Sequence, residues 1–401
     1  MRQPATLSFA AALLVPAIAG AQVPQQSGFV DKAKHAYEVL FTKPVRVSLE
    51  PIAPTSGVVG GIGWQPKPWR TPSVFTIPTA RASVSQNKYW AIDGSVAFQG
   101  VGLHEWRFEP YGRARSMKRL NYFGIGNDSL EENRSDFAML DRRAGATGYY
   151  RPVGWLAIGG RGEGFWPRTD SGENPDFPSI EVRFGPGQRP GFAENTNYLY
   201  AGGFVNINYP YVRSERPRRG GDYMASVAAF RDVSGTHHSF TRVEIEGLER
   251  FTVAGRDRAL TIHGRLSSTT SGSGDAVPLY LMDTLGGADN LRGFKETIIG
   301  GDEATSTLRS FESFRFRDLA TALMQIDFRQ RVWSQVWISV FADGGVVAPG
   351  VRRLSFDDLH RGIGVGLSVY RTNALAIRAE FSLWGGEGHP HYMTTGRGIN
   401  F

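Results

Sequence analysis

Residues 318–331, DLATALMQIDFRQR, place Ala320, Ala322, Met324, Ile326 and Phe328 at even positions and Thr321, Gln325, Asp327, Arg329 and Arg331 at odd ones. Successive side chains of an extended strand point to opposite faces, so this segment has one apolar face and one polar face. The pattern returns along the chain. QVWISVFADGGV (335–346) sets Val336, Ile338, Val340 and Ala342 against Gln335, Ser339 and Asp343. GIGVGLSVY (362–370) alternates Gly362, Gly364, Gly366 and Ser368 with Ile363, Val365, Leu367 and Val369. ALAIRAEFSL (374–383) opposes Leu375, Ile377, Phe381 and Leu383 to Arg378, Glu380 and Ser382, and EWRFEPYGRAR (105–115) and ALTIHGRLS (259–267) behave alike. Strands whose faces differ this cleanly separate two environments.

A water-soluble sandwich and a membrane barrel both meet that description. The strand length, about 10 residues, suits a tilted bilayer crossing. The polar faces carry charges and glycines, as a wet and crowded lumen requires. Trp64, Trp69, Tyr89, Trp90, Trp155, Trp333, Trp337 and Trp384 fall near strand ends, where interfacial girdles form. The chain has no cysteine, so no disulfide protects open sheet edges, and closure of the sheet on itself does. The reading is therefore all-β: a transmembrane antiparallel barrel. At about 24 residues per strand with its loop, the chain accommodates roughly 16 strands.

The ends fit that picture. Met1 to Ala21 reads as a secretory leader: Arg2 is its positive head, Leu7 to Ala19 its apolar stretch, and Ala19-Gly20-Ala21 its cleavage site. No run of 18 apolar residues follows it, so a spanning helix is not expected. Gln22 to about Thr55 forms a short N-terminal segment in which FVDKAKHAYEVLF (29–41) has the spacing of an amphipathic helix. The barrel is expected over 56–401, its first strand near Gly57 to Trp64. Gly57, Gly60, Gly61 and Gly63 leave that strand little to pack and make it a candidate for a compliant seam.

Several stretches together resemble the BamA/TamA superfamily of outer-membrane barrels, also called the bacterial surface antigen family. LGGADNLRGF (285–294) is similar to its loop-six motif, whose core is Val/Leu-Arg-Gly-Phe/Tyr, and NYFGIGNDS (121–129) resembles a further family stretch. FADGGVV (341–347) resembles the Phe-x-Asp-x-Gly strand that follows the motif. The final TTGRGINF, with Thr394, Gly396, Ile399 and Phe401, is similar to the signal that ends bacterial outer-membrane barrels. The resemblance implies a loop folded back into the lumen. It makes Arg292, followed by Gly293 and Phe294, the motif arginine, with Asp327 and Asp343 as its acidic partners on the wall. Strand parity independently puts both carboxylates on the polar face. The departure from the family is at the front, where 22–55 is too short for one of its periplasmic domains.

For function, the resemblance implies an insertase or translocation barrel in the bacterial outer membrane, assisting insertion of membrane proteins or lipid through a lateral seam. Outer-membrane lipid, other barrel proteins and a separate periplasmic partner are the expected partners, and the cell's own barrel-assembly machinery is expected to fold it. The alternative is a passive pore or structural barrel. An enzyme is not expected: there is no Gly-x-Ser-x-Gly elbow and no Walker loop. Adjacent His237 and His238 point to opposite faces of a strand, and neither they nor His389-Pro390-His391 make a convincing metal site, so no metal or cofactor is expected. The 45 Lys and Arg residues against 38 Asp and Glu are scattered singly, which speaks against nucleic acid.

Overall fold

The computed structural model describes residues 44–48, 52–100, 105–209, 220–253, 257–287, 308–371, 374–385 and 391–395. The chain divides into two units, Met1–Lys43 and Pro44–Phe401. The first, with the leader and the 29–41 segment, lies outside the described residues.

Among its described residues the second unit is one antiparallel meander of sixteen strands, with two further short strands, Trp69–Arg70 and Arg168–Ser171, paired onto it. In chain order they are β1 (Val45–Ser48), β2 (Val59–Trp64), β3 (Val74–Ser85), β4 (Trp90–Gly100), β5 (Glu105–Tyr122), β6 (Ser135–Val153), β7 (Leu156–Phe165) and β8 (Tyr198–Tyr209). There follow β9 (Gly220–Asp232), β10 (Phe240–Thr252), β11 (Arg258–Ser271), β12 (Ala320–Arg331), β13 (Val336–Ala348), β14 (His360–Arg371), β15 (Ala374–Trp384) and β16 (His391–Thr395). Each pairs with the next. Among the described residues no helix is long and apolar enough to cross a membrane.

Burial runs opposite to that of a soluble sheet. On β12, Met324, Ile326 and Phe328 are 52%, 38% and 38% exposed, whereas Gln325, Asp327 and Arg329 are 4%, 6% and 3% exposed. On β13, Ile338 and Val340 face out while Ser339 and Asp343 are buried. Apolar rows outside and charged rows inside make sense only where hydrocarbon bathes the outer face. The fold is that of an outer-membrane β-barrel.

The sequence reading needs two corrections here. The sheet begins one strand earlier than expected. Val45–Ser48 pairs with Val59–Trp64, whose other edge pairs with β3, so the glycine-bearing strand has neighbours on both sides. Gly60, Gly61 and Gly63 therefore sit inside the wall, and Gly57 turns in left-handed backbone (φ 71) just before it. The four-residue β1 is too short to show the alternation that revealed the others. Among the expected girdle aromatics, Tyr89 and Trp337 point inward, being 1% and 4% exposed. Trp337 shares the odd-numbered face of Ser339 and Asp343, and Tyr89 bonds Thr55 Oγ1 at 2.8 Å through its hydroxyl. Trp64, Trp69, Trp155, Trp333 and Trp384 are exposed, as a girdle requires.

The longest connections, 123–134, 166–197, 272–319 and 349–359, all fall at the same end of the meander. At the long-loop end, Tyr122, Phe137, Phe184, Tyr198, Phe230 and Leu279 belong to one buried apolar cluster built from strand ends and loops. Phe230 and Phe240 stack there at 4.4 Å between ring centroids. This cluster gives loops that would otherwise be solvated a core of their own.

Val340→Arg tests the orientation of the wall. A guanidinium on the lipid face near mid-strand is expected to cost about 2–4 kcal/mol, read by urea unfolding in lipid vesicles. A near-neutral effect would mean that this face meets water.

Candidate functional site

Between β11 and β12 the chain leaves the wall and folds inward. Its two described limbs pair as a short ribbon, Asp283–Leu285 against Phe316–Asp318, with Leu285 opposite Phe316. Gly286 and Gly287 turn the first limb, both with positive φ (106 and 84). A Cβ on Gly286 would run into the Glu312 carbonyl, and one on Gly287 into the Ser313 hydroxyl. The backbone N–H of Gly287 donates to the carbonyls of Leu308 (3.2 Å) and Phe311 (3.1 Å), tying the limbs together. Leu285, Leu308, Phe311 and Phe316 pack with Leu323 and Val347 of the wall.

Arg309 is the centre of the site. Its side chain is 1% exposed, and all five of its guanidinium N–H donors are used. Nη1 donates to Asp327 Oδ1 (2.9 Å) and Glu380 Oε1 (2.7 Å). Nη2 donates to Asp327 Oδ2 (3.2 Å) and Asp343 Oδ1 (2.5 Å). Nε donates to Asp343 Oδ2 (2.8 Å), which also accepts the backbone N–H of Arg309 (3.0 Å). The Phe341 ring lies beneath, its centroid 3.7 Å from the guanidinium carbon. Three carboxylates around one cation would be unfavourable alone. Arg378 supplies a second cation, at 2.5 Å from Glu380 Oε1 and 3.3 Å from Asp327 Oδ1, and Arg329 a third near Asp327. Three positive charges meet three negative ones, and none is buried unpaired.

The glycines of β14 make this reach possible. Asp343 lies opposite Gly362, and Gly366 lies opposite Glu380, so β14 separates two of the carboxylates. A Cβ on Gly362 would strike the Ser310 hydroxyl, and one on Gly364 would strike the Phe341 ring. With glycine at 362, 364 and 366 on its inner face, β14 lets Arg309 bridge β13 and β15 across it. Ser310 Oγ meets Ser382 Oγ at 2.7 Å on the far side.

The other limb is held with the charges reversed. Asp283 is fully buried. It accepts from Ser267 Oγ (2.5 Å) and lies 3.4 Å from Arg265 Nη2 and 3.6 Å from Arg242 Nε. Arg242 also donates to the Leu281 carbonyl. Residues 126–129, just past the end of β5, brace the loop and the adjoining wall. Gly126 N–H donates to the Arg317 carbonyl (2.8 Å), Ser129 Oγ to the Arg315 carbonyl (3.0 Å), and Val347 N–H to Asn127 Oδ1 (3.1 Å).

Asp327 and Asp343 thus come together on the inner face and receive an arginine, and that arginine is Arg309. Arg292, Gly293 and Phe294 lie outside the described residues, as do Gly396, Ile399 and Phe401. Leu308-Arg309-Ser310-Phe311 repeats the Leu-Arg-x-Phe spacing of 291–294 with serine in place of glycine. Glu380 and Arg378 were visible as polar-face positions without a role. Asp283 gave no signal, because its partners come from strands that only the fold brings beside it. Among the described residues no three potential ligands gather to hold a metal ion.

No protein-family model and no curated protein matches this chain. Solved structures do. The crystal structure of BamA from Haemophilus ducreyi lacking POTRA domains 1–3 aligns with a TM-score of 0.51 at 12% identity, over 94% of this chain and 78% of that one. CdiB from Acinetobacter baumannii aligns with a TM-score of 0.45 at 13% identity, over 84% of this chain and 55% of that one. The BamA likeness places the fold among the BamA-type barrels.

Arg309→Ala should destabilise the protein by about 3–5 kcal/mol, since it strands buried carboxylates, and should expose residues 308–315 to protease. Arg309→Lys should recover only part of this, because an ammonium lacks the fork that reaches three acceptors. Urea unfolding and limited proteolysis read both. Wild-type stability in Arg309→Ala would remove the clasp from the account.

Gly364→Ala tests the glycine face separately. The added methyl displaces the Phe341 ring beneath Arg309, and overpacking of this kind costs roughly 1–3 kcal/mol. The same substitution at Gly112, where a Cβ meets nothing within 4 Å, should be tolerated in the same unfolding assay.

Proposed function

We propose that this chain is an insertase or translocation barrel that acts mechanically on membrane proteins or lipid through a lateral seam between β1 and β16. The observation that carries the proposal is the Arg309 clasp. A pore that only conducts solutes has no use for a loop held across its lumen by five charge-assisted hydrogen bonds to three strands. Such a clasp fixes one loop position against the strands nearest the C-terminal edge. The apolar cluster at the long-loop end also works against free diffusion.

A compliant seam fits the glycines of β2, because Gly60, Gly61 and Gly63 leave little side-chain packing beside β1. Other barrel proteins as cargo, and a separate periplasmic partner to deliver them, fit this reading.

Proteoliposomes carrying the full chain should accelerate folding of a second, urea-unfolded barrel relative to empty liposomes. A crosslink between single cysteines introduced into Val45–Ser48 and His391–Thr395 should abolish the acceleration while leaving a folded barrel, and reduction should restore it. Steady conductance in a planar bilayer with no acceleration of folding would instead establish the pore.

A further inference from the structure

Lipid bathes the outer face of this wall, and the outward rows are built mainly from apolar and small residues. Three arginines interrupt them. Arg142 shares the even-numbered face of β6 with Tyr150, Arg231 the odd-numbered face of β9 with Tyr223 and Val227, and Arg361 the odd-numbered face of β14 with Ile363 and Leu367. All three arginines are exposed. Each stands at the end that bears the long connections. Arg231 and Arg361 lie one residue inside the ends of their strands, and Arg142 lies level with the end of β7, since Arg143 pairs with Phe165. That is the depth at which hydrocarbon gives way to lipid headgroups.

Inner-face arginines such as Arg309 grip carboxylates of the wall, whereas these three have other neighbours. Across the strands on the outward side, Arg142 meets Ala114 and Trp166, Arg231 meets Leu199, and Arg361 meets Gly344. None of these offers a carboxylate. At the opposite end of the wall the outward polar groups engage one another: the Tyr223 hydroxyl donates to Glu249, and Arg258 Nε donates to Gln330 Oε1 at 2.8 Å.

Two of the three arginines flank one patch. Ala144, Gly164, Leu199 and Arg231 form a cross-strand row on β6 to β9. The row covers three strand spacings, roughly 14 Å, and Arg142 lies two residues beyond Ala144. The Trp166 indole covers Gly164, where a Cβ would strike the ring, and exposed Leu199 lies beside it. The result is an apolar strip with a guanidinium on each flank, at headgroup depth. A phosphate-bearing lipid fits it: its carbon skeleton lies on indole and leucine, and the guanidinium forks take the phosphate oxygens. A soluble anion has no apolar part to lay on that strip.

We propose that Arg142, Trp166, Leu199 and Arg231 form an outward-facing site for a lipid whose headgroup carries phosphate, in the leaflet at the long-connection end. The site lies on strands other than those of the Arg309 clasp and on the other side of the wall, and it does not depend on the insertase reading.

The test uses the full chain, folded in a maltoside detergent and titrated calorimetrically with short-chain phosphatidic acid at constant ionic strength. Saturable binding is expected. Arg142→Gln/Arg231→Gln should weaken it by about tenfold or more, the share that two arginines near a lipid surface contribute. Arg361→Gln, at an arginine outside the patch, should stay close to wild type. Heat-modifiable electrophoretic migration reports whether each variant is folded, and Arg231→Gln alone serves if the double variant is not. Inorganic phosphate, and phosphatidylcholine with the same chains, should each bind about tenfold more weakly than phosphatidic acid or less. Equal affinity for inorganic phosphate assigns the site to a free anion, and equal affinity for phosphatidylcholine assigns it to the apolar strip alone. Either result overturns the proposal. So does a loss in Arg361→Gln as large as in the double variant, equal affinity in the folded double variant, or absence of saturable phosphatidic acid binding to the folded protein.

Discussion

A single guanidinium organises the C-terminal third of this wall. Arg309 touches Asp327 on β12, Asp343 on β13 and Glu380 on β15, and rests on the ring of Phe341. In water such contacts are nearly cancelled by solvation, but here every member is buried and desolvation has already been incurred. What the arrangement supplies is specificity: only one position of the loop satisfies five donors and three acceptor groups together. The surrounding features follow from that requirement. β14 carries glycine on its inner face because a side chain would stand between two of the acids. Arg378 and Arg329 are present because three carboxylates need more than one cation.

The second limb obeys the same rule with opposite polarity. Asp283 is gripped by Arg242 and Arg265 from β10 and β11, while Arg309 is gripped by acids from the strands beyond. A loop with an acid at one end and a base at the other cannot dock in reverse without setting like charges face to face. The wall, rather than the loop, therefore specifies the direction of docking.

Much of this was legible in the sequence, and the reasons differ by feature. Alternation in long strands revealed the meander and the membrane, because lipid outside and charge inside enforce strict period two. It also placed Asp327, Asp343, Arg378 and Glu380 on one face before any fold was known. It could not find β1, since four residues carry too little pattern. Nor did it single out Leu308-Arg309-Ser310-Phe311, which has the Leu-Arg-x-Phe spacing of Leu291-Arg292-Gly293-Phe294 but serine in place of the motif glycine. Arg292 lies outside the described residues, and that Arg309 reaches the carboxylates is a matter of distance, which strand parity does not carry. Tyr89 and Trp337 went to the wrong environment because an aromatic near a strand end was read by position alone. Parity would have turned Trp337 inward.

The balance of charge at Arg309 bears on the order of assembly. Until the loop arrives, Asp327, Asp343 and Glu380 stand on a nearly complete wall with only Arg378 and Arg329 to offset them. A crowded lumen leaves such an excess little water in which to dissipate. Loop and wall therefore have reason to enter the bilayer as one object, with the interior settled before the edges meet. Read this way, the glycines of β14 serve as a passage as well as a site: they leave the inner surface smooth along the path by which the arginine is seated.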